Sequence, residues 1–442
     1  MKAKPLFTAI LLAMMTAFPA PAQFMQDLQD LFGRLEQQPS RTQGNAVTVD
    51  YNVDFHYFLD VRAFGASHDI FMESETINLA RVSPSAVVRF DQGREATHRL
   101  ALGIDLTKDM GANPTKTQYI SESEHDTSLR NTALMKDIFF YYNYTRHTRR
   151  GQLGFYAGIH PRTILQGDYT RAIFADQVIY YDPNIEGITV QYSSPRFSLE
   201  LAGDLIGKLG VDRIGGEMAL TSIEYRPFKW AAIGLDGSYT HVRGNYLYTA
   251  NAEYALANPY LKLDFAPLLH LQECYIKGGG IGSYVIDHEV VDETAHTPIG
   301  AEAVLGIRHW GIGIEDTFYY GENQQVYNGS AYSGIGSIVK YVDTLYQGDI
   351  FYFTRRTVPT WYNRAEVYWQ PLGTEFVTAR VSGIGHFVTP TSEVGPYIGL
   401  QAKATLLFNL DAFRHPRQNA QNTRRTRERR AQRSSDGPLF SL

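Results

Sequence analysis

Residues 47–64 read VTVDYNVDFHYFLDVRAF and alternate with a period of two almost throughout. Val47, Val49, Tyr51, Val53, Phe55, Tyr57, Leu59, Val61 and Ala63 fall on one side. Thr48, Asp50, Asn52, Asp54, His56, Asp60 and Arg62 fall on the other, interrupted only by Phe58 and Phe64. Successive side chains of a strand point to opposite faces, so one face here is apolar and the other charged. Strands of soluble sheets run about five or six residues, whereas a strand tilted across a bilayer needs about ten. In hydrocarbon, strands satisfy all their backbone N–H and C=O groups only when the sheet closes on itself. The segment therefore predicts a membrane barrel, with lipid on one face and a wet lumen on the other.

The pattern recurs along the chain. RLALGIDLT (99–107) sets Leu100, Leu102, Ile104 and Leu106 against Arg99, Asp105 and Thr107. YLKLDFAPLL (260–269) sets Leu261, Leu263 and Phe265 against Lys262 and Asp264, and YIGLQAKATLLFNL (397–410) sets Leu400, Ala402, Ala404, Leu406 and Phe408 against Gln401, Lys403 and Thr405. Long spacers at 65–80, 109–131, 161–186, 204–216, 243–258, 278–298 and 321–360, with a shorter one at 389–395, alternate with tight breaks, several of them carrying Pro, as in SSPR (193–196), RPFK (226–229) and QPLG (370–373). Proline cannot donate to a ladder and belongs in turns. This rhythm predicts an all-β, closed antiparallel barrel of about 16 strands, within a range of 14–18, with short periplasmic turns and long surface loops. DIFYF (349–353) is a candidate additional strand, 214–225 alternates poorly, and GGGIG (278–282) falls in a spacer.

Composition agrees: 29 Tyr, 24 Phe and 38 Gly coexist with a mean hydropathy of -0.26. Such a chain is rich in aromatics yet polar on average, as strands with one apolar and one wet face require. Lys2 and Lys4 precede the apolar run PLFTAILLAMMTAF, and Ala20-Pro21-Ala22 supplies a small-residue cleavage site. Residues 1–22 therefore read as a cleaved secretory signal peptide. Residues 23–45 hold FMQDLQDLFGRLEQQ (24–38), a short amphipathic helix able to serve as a hatch, with Phe24, Leu28, Leu31, Phe32 and Leu35 on one stripe. The barrel is expected over 46–413. Residues 414–442 carry eight Arg against Glu428 and Asp436 and lack a core-forming apolar set, so they read as a disordered basic tail. Arg424, Arg425, Arg427, Arg429 and Arg430 are its candidate contacts to an acidic periplasmic partner or a cell-wall polymer. The net charge of -5 places the acidity in the barrel, which argues against nucleic-acid binding. Cys274 is alone, so no intrachain disulfide forms.

On these patterns the chain resembles bacterial outer-membrane β-barrel proteins, porins in particular, over 46–413. The last strand, GLQAKATLLFNLDAF (399–413), looks like the C-terminal signal read by the barrel-insertion machinery, with Phe408 and Phe413 as its aromatics. The 29 residues beyond Phe413 depart from the porin habit of ending there. The resemblance implies a Gram-negative outer-membrane location, a lipid partner, a homotrimer as an option, and passive or weakly selective diffusion of small hydrophilic solutes. It further implies that the loop after the fifth strand, 158–187, folds into the lumen, bringing Arg162, Asp168, Arg171, Asp176, Asp182 and Glu186 toward the wall. Pore-lining candidates are Asp50, Asp54, His56, Asp60, Arg62, Arg81, Arg89, Arg99, Asp105, Arg364, Arg380 and Lys403. Opposed rows of loop acids and wall bases would set up a transverse field. Tyr141, Tyr142, Tyr144, Trp230, Trp310, Tyr320, Trp361 and Trp369 read as interfacial girdles.

No catalytic, metal or cofactor constellation stands out. The thirteen His show no H-x-H or HExxH spacing, and GGGIG lacks the GK[ST] of a phosphate loop. His68-Asp69 and Glu124-His125-Asp126 are the dipeptides an omptin-like protease would need in its surface loops. Two other readings are a plugged barrel carrying hydrophobic compounds, like fatty-acid transporters, and a non-channel assembly subunit that docks through its tail. A TonB-coupled transporter is disfavoured, since its plug domain would exceed residues 23–45.

Overall fold

The computed structural model describes residues 46–65, 74, 76–92, 95–110, 135–207, 215–243, 251–288, 295–322, 324, 348–349, 352, 359–373, 377–390 and 395–409. The signal-peptide, hatch and tail assignments lie outside these residues, as do Phe413, the five tail arginines, His68-Asp69 and Glu124-His125-Asp126. Sixteen strands pair antiparallel with their sequence neighbours, and the first pairs with the last: a closed barrel. They are β1 (Ala46–Phe64), β2 (Thr76–Gln92), β3 (Ala96–Asp109), β4 (Met135–His147), β5 (Gln152–Pro161), β6 (Asn184–Ser193), β7 (Phe197–Gly207) and β8 (Gly215–Phe228). Then follow β9 (Ala231–Arg243), β10 (Asn251–Asp264), β11 (Glu273–Asp287), β12 (Ile299–His309), β13 (Ile312–Gly321), β14 (Thr360–Gly373), β15 (Val377–Val388) and β16 (Tyr397–Asn409). At the level of the fold this is the porin-like barrel the alternation predicts. Among the described residues no helix is long and apolar enough to cross a membrane.

Closure is set by the β1–β16 ladder, which places Asp60 opposite Lys403 and Leu59 opposite Ala404. A shift of one residue would send the charges of β1 into lipid, so the pattern enforces the register. On the outside, Val49, Val88, Leu100, Leu102, Ile138, Phe140, Ile233, Leu261 and Ile314 stand exposed, the band a bilayer would cover. Trp230, Trp310, Tyr320 and Trp369 are exposed near strand ends, as girdle residues are. Tyr141 is a correction: it shares its parity with buried Phe139 and Asn143, and its ring meets His160 inside the barrel at 6.3 Å.

Two spacers were drawn too long. The Gly run 278–282 lies within β11, and 251–258 is the first half of β10. Of DIFYF, the described residues Asp349 and Tyr352 lie outside the strands: Tyr352 donates to Glu302 of β12, and Asp349 accepts from Arg171. The reason lies in the lumen. Towards the long loops, inward positions are apolar, with Met218, Leu220, Tyr254, Leu256, Ile281, Val285 and Tyr319 packed in one cluster with Ala172 and Ile173 from the β5–β6 loop. On β10 and β11 most outward positions there are small, as at Ala255, Ala257, Gly280 and Gly282, so the contrast that marks a strand is inverted or lost. Phe58 belongs to a second lumenal cluster with Ile77, Leu79 and Tyr180, and Phe64 meets the ring of His386 at 5.3 Å. The two exceptions in the opening alternation are thus inward side chains that seat on lumenal partners.

Candidate functional site: the bridged lumen

The β5–β6 loop enters the barrel as expected. It starts with a helical turn (Arg162–Ile164), continues through an irregular stretch, and ends in a short helix, α1 (Asp176–Tyr181). Its charged side chains anchor it at separated points of the wall. Arg162 is buried and donates to Asp204 of β7 at 2.8 Å and to Asp182 at 2.7 Å. Asp168 accepts from Lys262 of β10 at 2.7 Å and lies 3.8 Å from Lys277 of β11. Thr170 donates to Glu302 of β12 at 2.8 Å. Asp176 takes Lys403 of β16 at 2.6 Å and Arg171 at 2.8 Å, and Arg171 also reaches Asp349. The carbonyl of Tyr180 accepts from Arg81 of β2, while its ring lies 4.6 Å from Phe58 of β1. The loop therefore bridges the lumen instead of lying along one wall.

Two of the loop carboxylates, Asp176 and Asp168, are held ionised, whereas burial pushes Asp182 up to about 6 against the pull of Arg162. Burial alone would raise Asp176, but Arg171 and Lys403 overrule it and keep the carboxyl well below the usual carboxylate range. At Asp168 burial also pulls upward, and Lys277 and Lys262 pull it below its ordinary value. Burial against Glu302 pushes the Tyr352 hydroxyl well up, so it stays a neutral donor.

Most pore-lining candidates face inward. Asp54, His56, Asp60 and Arg62 do so on β1; Arg81 and Arg89 on β2; Arg99 and Asp105 on β3; Arg364, Arg380 and Lys403 on β14 to β16. The ladders set His56 opposite Arg81 and Arg89 opposite Arg99. Asp50 is in β1, but its side chain lies outside the described residues. The two opposed charge rows are not what the structure assembles. Arg62 closes on Asp60 at 2.8 Å, Arg89 on Asp91 at 2.8 Å, and Arg364 and Arg380 on Glu366 at 2.7 and 2.6 Å. Among the candidate wall bases, Lys403 meets a loop carboxylate, Asp176, in an ion pair between described residues. Glu186 is exposed at the start of β6, and its backbone N–H donates at 2.8 Å to Asp204, the carboxylate that anchors Arg162. Phe408 is on β16 near the turn end, opposite Phe55 and Val377.

Sequence reasoning missed a wall of alternating charges and tyrosines in the turn-side half of β8–β15. Glu224 accepts from Arg226 and, at 3.3 Å, from the hydroxyl of Tyr260. Lys277 lies 4.1 Å from the Tyr260 ring and 3.4 Å from Asp236. Lys262 lies over Tyr275 at 4.6 Å, and Tyr275 donates to Glu315 at 3.4 Å. Arg364 lies 3.7 Å from Glu315, and Arg380 stacks on Tyr368 at 3.6 Å. Tyr368 in turn donates to Glu273 at 3.2 Å, and Glu273 holds Arg308 at 2.5 Å. Apart from Glu224–Arg226 within β8, the links join different strands, neighbouring or next-neighbouring in most cases and three apart for Tyr368 of β14 and Glu273 of β11. The rings of Tyr260, Tyr275 and Tyr368 also occupy the space a side chain would need at Gly234, Gly306 and Gly313. That cross-strand Gly–Tyr pairing was the available signal, but it needs the register to be seen.

No protein-family model and no curated protein matches the chain. Among solved structures, an OmpT loop-deletion mutant, an outer membrane protein of Vibrio cholerae, aligns at 9% identity over 82% of this chain and 99% of that one, with a TM-score of 0.44. OmpF of Salmonella typhi in complex with daunomycin aligns at 10% identity over 82% and 97%, with a TM-score of 0.42. OprD of Pseudomonas aeruginosa aligns at 8% over 82% and 94%, with a TM-score of 0.41. Likeness at these levels carries nothing about solute or mechanism, and the barrel rests on this chain's own sixteen ladders.

Proposed function

We propose that the chain is an outer-membrane channel for small hydrophilic solutes, throttled by the loop that bridges its lumen. The bilayer is the solvent of the apolar band, and solutes pass through the wet interior beside residues 162–183. The observation that carries this reading is the anchoring of one loop to opposite walls, at Asp204, Lys262 and Lys403, inside a barrel whose turn-side interior is polar. A loop held so defines the narrowest cross-section by fixed charges.

Single-channel recording of the refolded protein in a planar bilayer tests it. Steady conductance steps, enlarged in Asp168→Asn/Asp176→Asn, are the expected outcome. Silence from a barrel shown to be folded would favour a second reading, a plugged carrier of apolar compounds. The lumenal cluster of Leu220, Tyr254, Leu256 and Ile281 supports that alternative.

A further inference from the structure

The wall of β8–β15 is built in two ranks. Arg364 and Lys277 stand behind, with side chains 1% and 6% exposed. Glu273, Arg380 and Glu315 stand in front, 39%, 30% and 27% exposed, with Lys262 and Arg308 beside them. In the front rank no charge stands alone: each base is against an acid or a tyrosine ring, and each acid against a base or a tyrosine hydroxyl. We infer that this wall selects zwitterionic solutes, those carrying a carboxylate and an ammonium group a few ångströms apart. The inference rests on the channel reading above and names the solute class for that lumen.

The physical reason is exchange. A solute with a single charge gains a partner only by displacing one member of a wall pair, and it leaves the displaced charge without its ion partner on the confined lumen wall. A zwitterion offers both ends. Its carboxylate replaces Glu273 against Arg308 while its ammonium takes the released carboxylate, so every charge keeps a partner throughout. The tyrosine hydroxyls facing Glu273 and Glu315 add neutral donors that follow the same carboxylates. A wall bearing one sign would prefer the opposite ion; a wall of alternating signs at contact distance favours solutes that alternate too. Neutral polyols, which exchange hydrogen bonds but no charge, rank between the two.

Proteoliposome swelling separates these classes. Entry rates of glycylglycine, a polyol of matched size, N-acetylglycine and glycinamide are compared, after salt conductance has been recorded on the same preparation. The expected order is glycylglycine, polyol, then the two singly charged solutes. The first step is about threefold, the factor one part-exposed ion pair supplies. Removing a front-rank pair as a unit, in Arg308→Gln/Glu273→Gln, leaves no orphan charge and should bring glycylglycine down to the polyol rate in a barrel shown to be folded. Equal entry of glycylglycine and polyol through a conducting channel, an order that follows one sign of charge, or a preference unchanged in the double variant would each overturn the inference alone. Absence of conductance from a folded barrel would overturn the channel reading and this inference with it.

Discussion

The arc of β1–β4 and the arc of β8–β12 share one ladder geometry and differ in what their lumenal faces meet. On β3, Leu100 and Leu102 face out, while Arg99, Asp105 and Thr107 face in. On β10 and β11 the loop-side half is reversed: Tyr254, Leu256, Ile281 and Val285 are buried inside, while Ala255, Ala257, Gly278, Gly280 and Gly282 take the outward positions. The inner face of the second arc is covered by Leu165, Ala172, Ile173 and Phe174 of the bridging loop. Hydrophobicity follows the solvent each face meets, and on this arc part of the lumen's solvent is protein. The first arc is therefore mostly a membrane strand set, with Phe58, Ile77 and Leu79 seated on Tyr180 at one place, and the second is half membrane strand and half protein core.

The anchor that seats the loop gives the largest expected break in this contrast. Arg162 and Asp204 are 4% and 2% exposed, so Arg162→Ala leaves Asp204 buried without its cation. We expect a loss of about 3–5 kcal/mol, the usual cost of orphaning one partner of a buried pair. Urea unfolding of the refolded barrel measures it. Removing a part-exposed pair on the first arc, in Arg89→Gln/Asp91→Asn, should shift the midpoint far less.

Next comes the core itself. Leu256→Ala should cost about 2–5 kcal/mol, as truncation inside a packed protein core does. Leu102→Ala, at a position 55% exposed on the lipid face, should cost about 1 kcal/mol, since lipid closes over the missing methyls. Equal losses at the two sites would mean that the second arc's lumen is not packed as described.

These contrasts also explain what the sequence could show. Strands β1, β3 and β16 were legible because polar and apolar faces alternate over long stretches with few exceptions, such as Phe58 and Phe64 of β1. The loop-side half of β10 and the Gly run of β11 were not, because their inward Tyr, Leu and Ile balance outward Ala and Gly and erase the period-two signal. Asp168 and Asp176 were found as loop acids by position in the chain. The partners of Asp168, Lys262 and Lys277, look like any inward base until the loop's path is known. The Tyr–Glu–Arg wall was hidden for the same reason: its links run across strands, and a register is a property of the closed sheet.

Acidification acts on the bridge and spares the strands. Asp176 and Asp168 both titrate below their ordinary values in the folded barrel. A depressed carboxylate contributes stability that is fully present above its unfolded pKa, about 3.9, and is lost as pH falls through the folded value. The Asp168 and Asp176 anchors should therefore hold from pH 7 to pH 5, and the larger change in channel conductance should come only below about pH 4, as these two carboxylates protonate and the loop lets go. Asp176→Asn should show part of that change already at pH 7. A smaller transition near pH 6 would point to Asp182, whose carboxyl burial pushes up to about 6 beside Arg162.

The smallest expected effect discriminates most finely, because it uses one substitution on two faces of the same arc. A Cβ built at Gly234 of β9 falls 2.2 Å from the ring of Tyr260, so Gly234→Ala must push that ring away from Glu224 and Lys277. Overpacking of this kind costs about 1–3 kcal/mol. At Gly278 of β11 a Cβ meets nothing within 4 Å. Gly278→Ala should then be neutral or stabilising by up to about 0.5–1 kcal/mol, through the backbone entropy that glycine loses in a strand. The pair separates the two reasons a barrel strand carries glycine. One is a cavity that a neighbouring tyrosine already fills. The other is an outward position where the burden of packing has moved inside. If Gly278→Ala proved as damaging as Gly234→Ala, something outside the barrel would have to press against β11, and the outer face of the second arc would be a protein contact, not a lipid one.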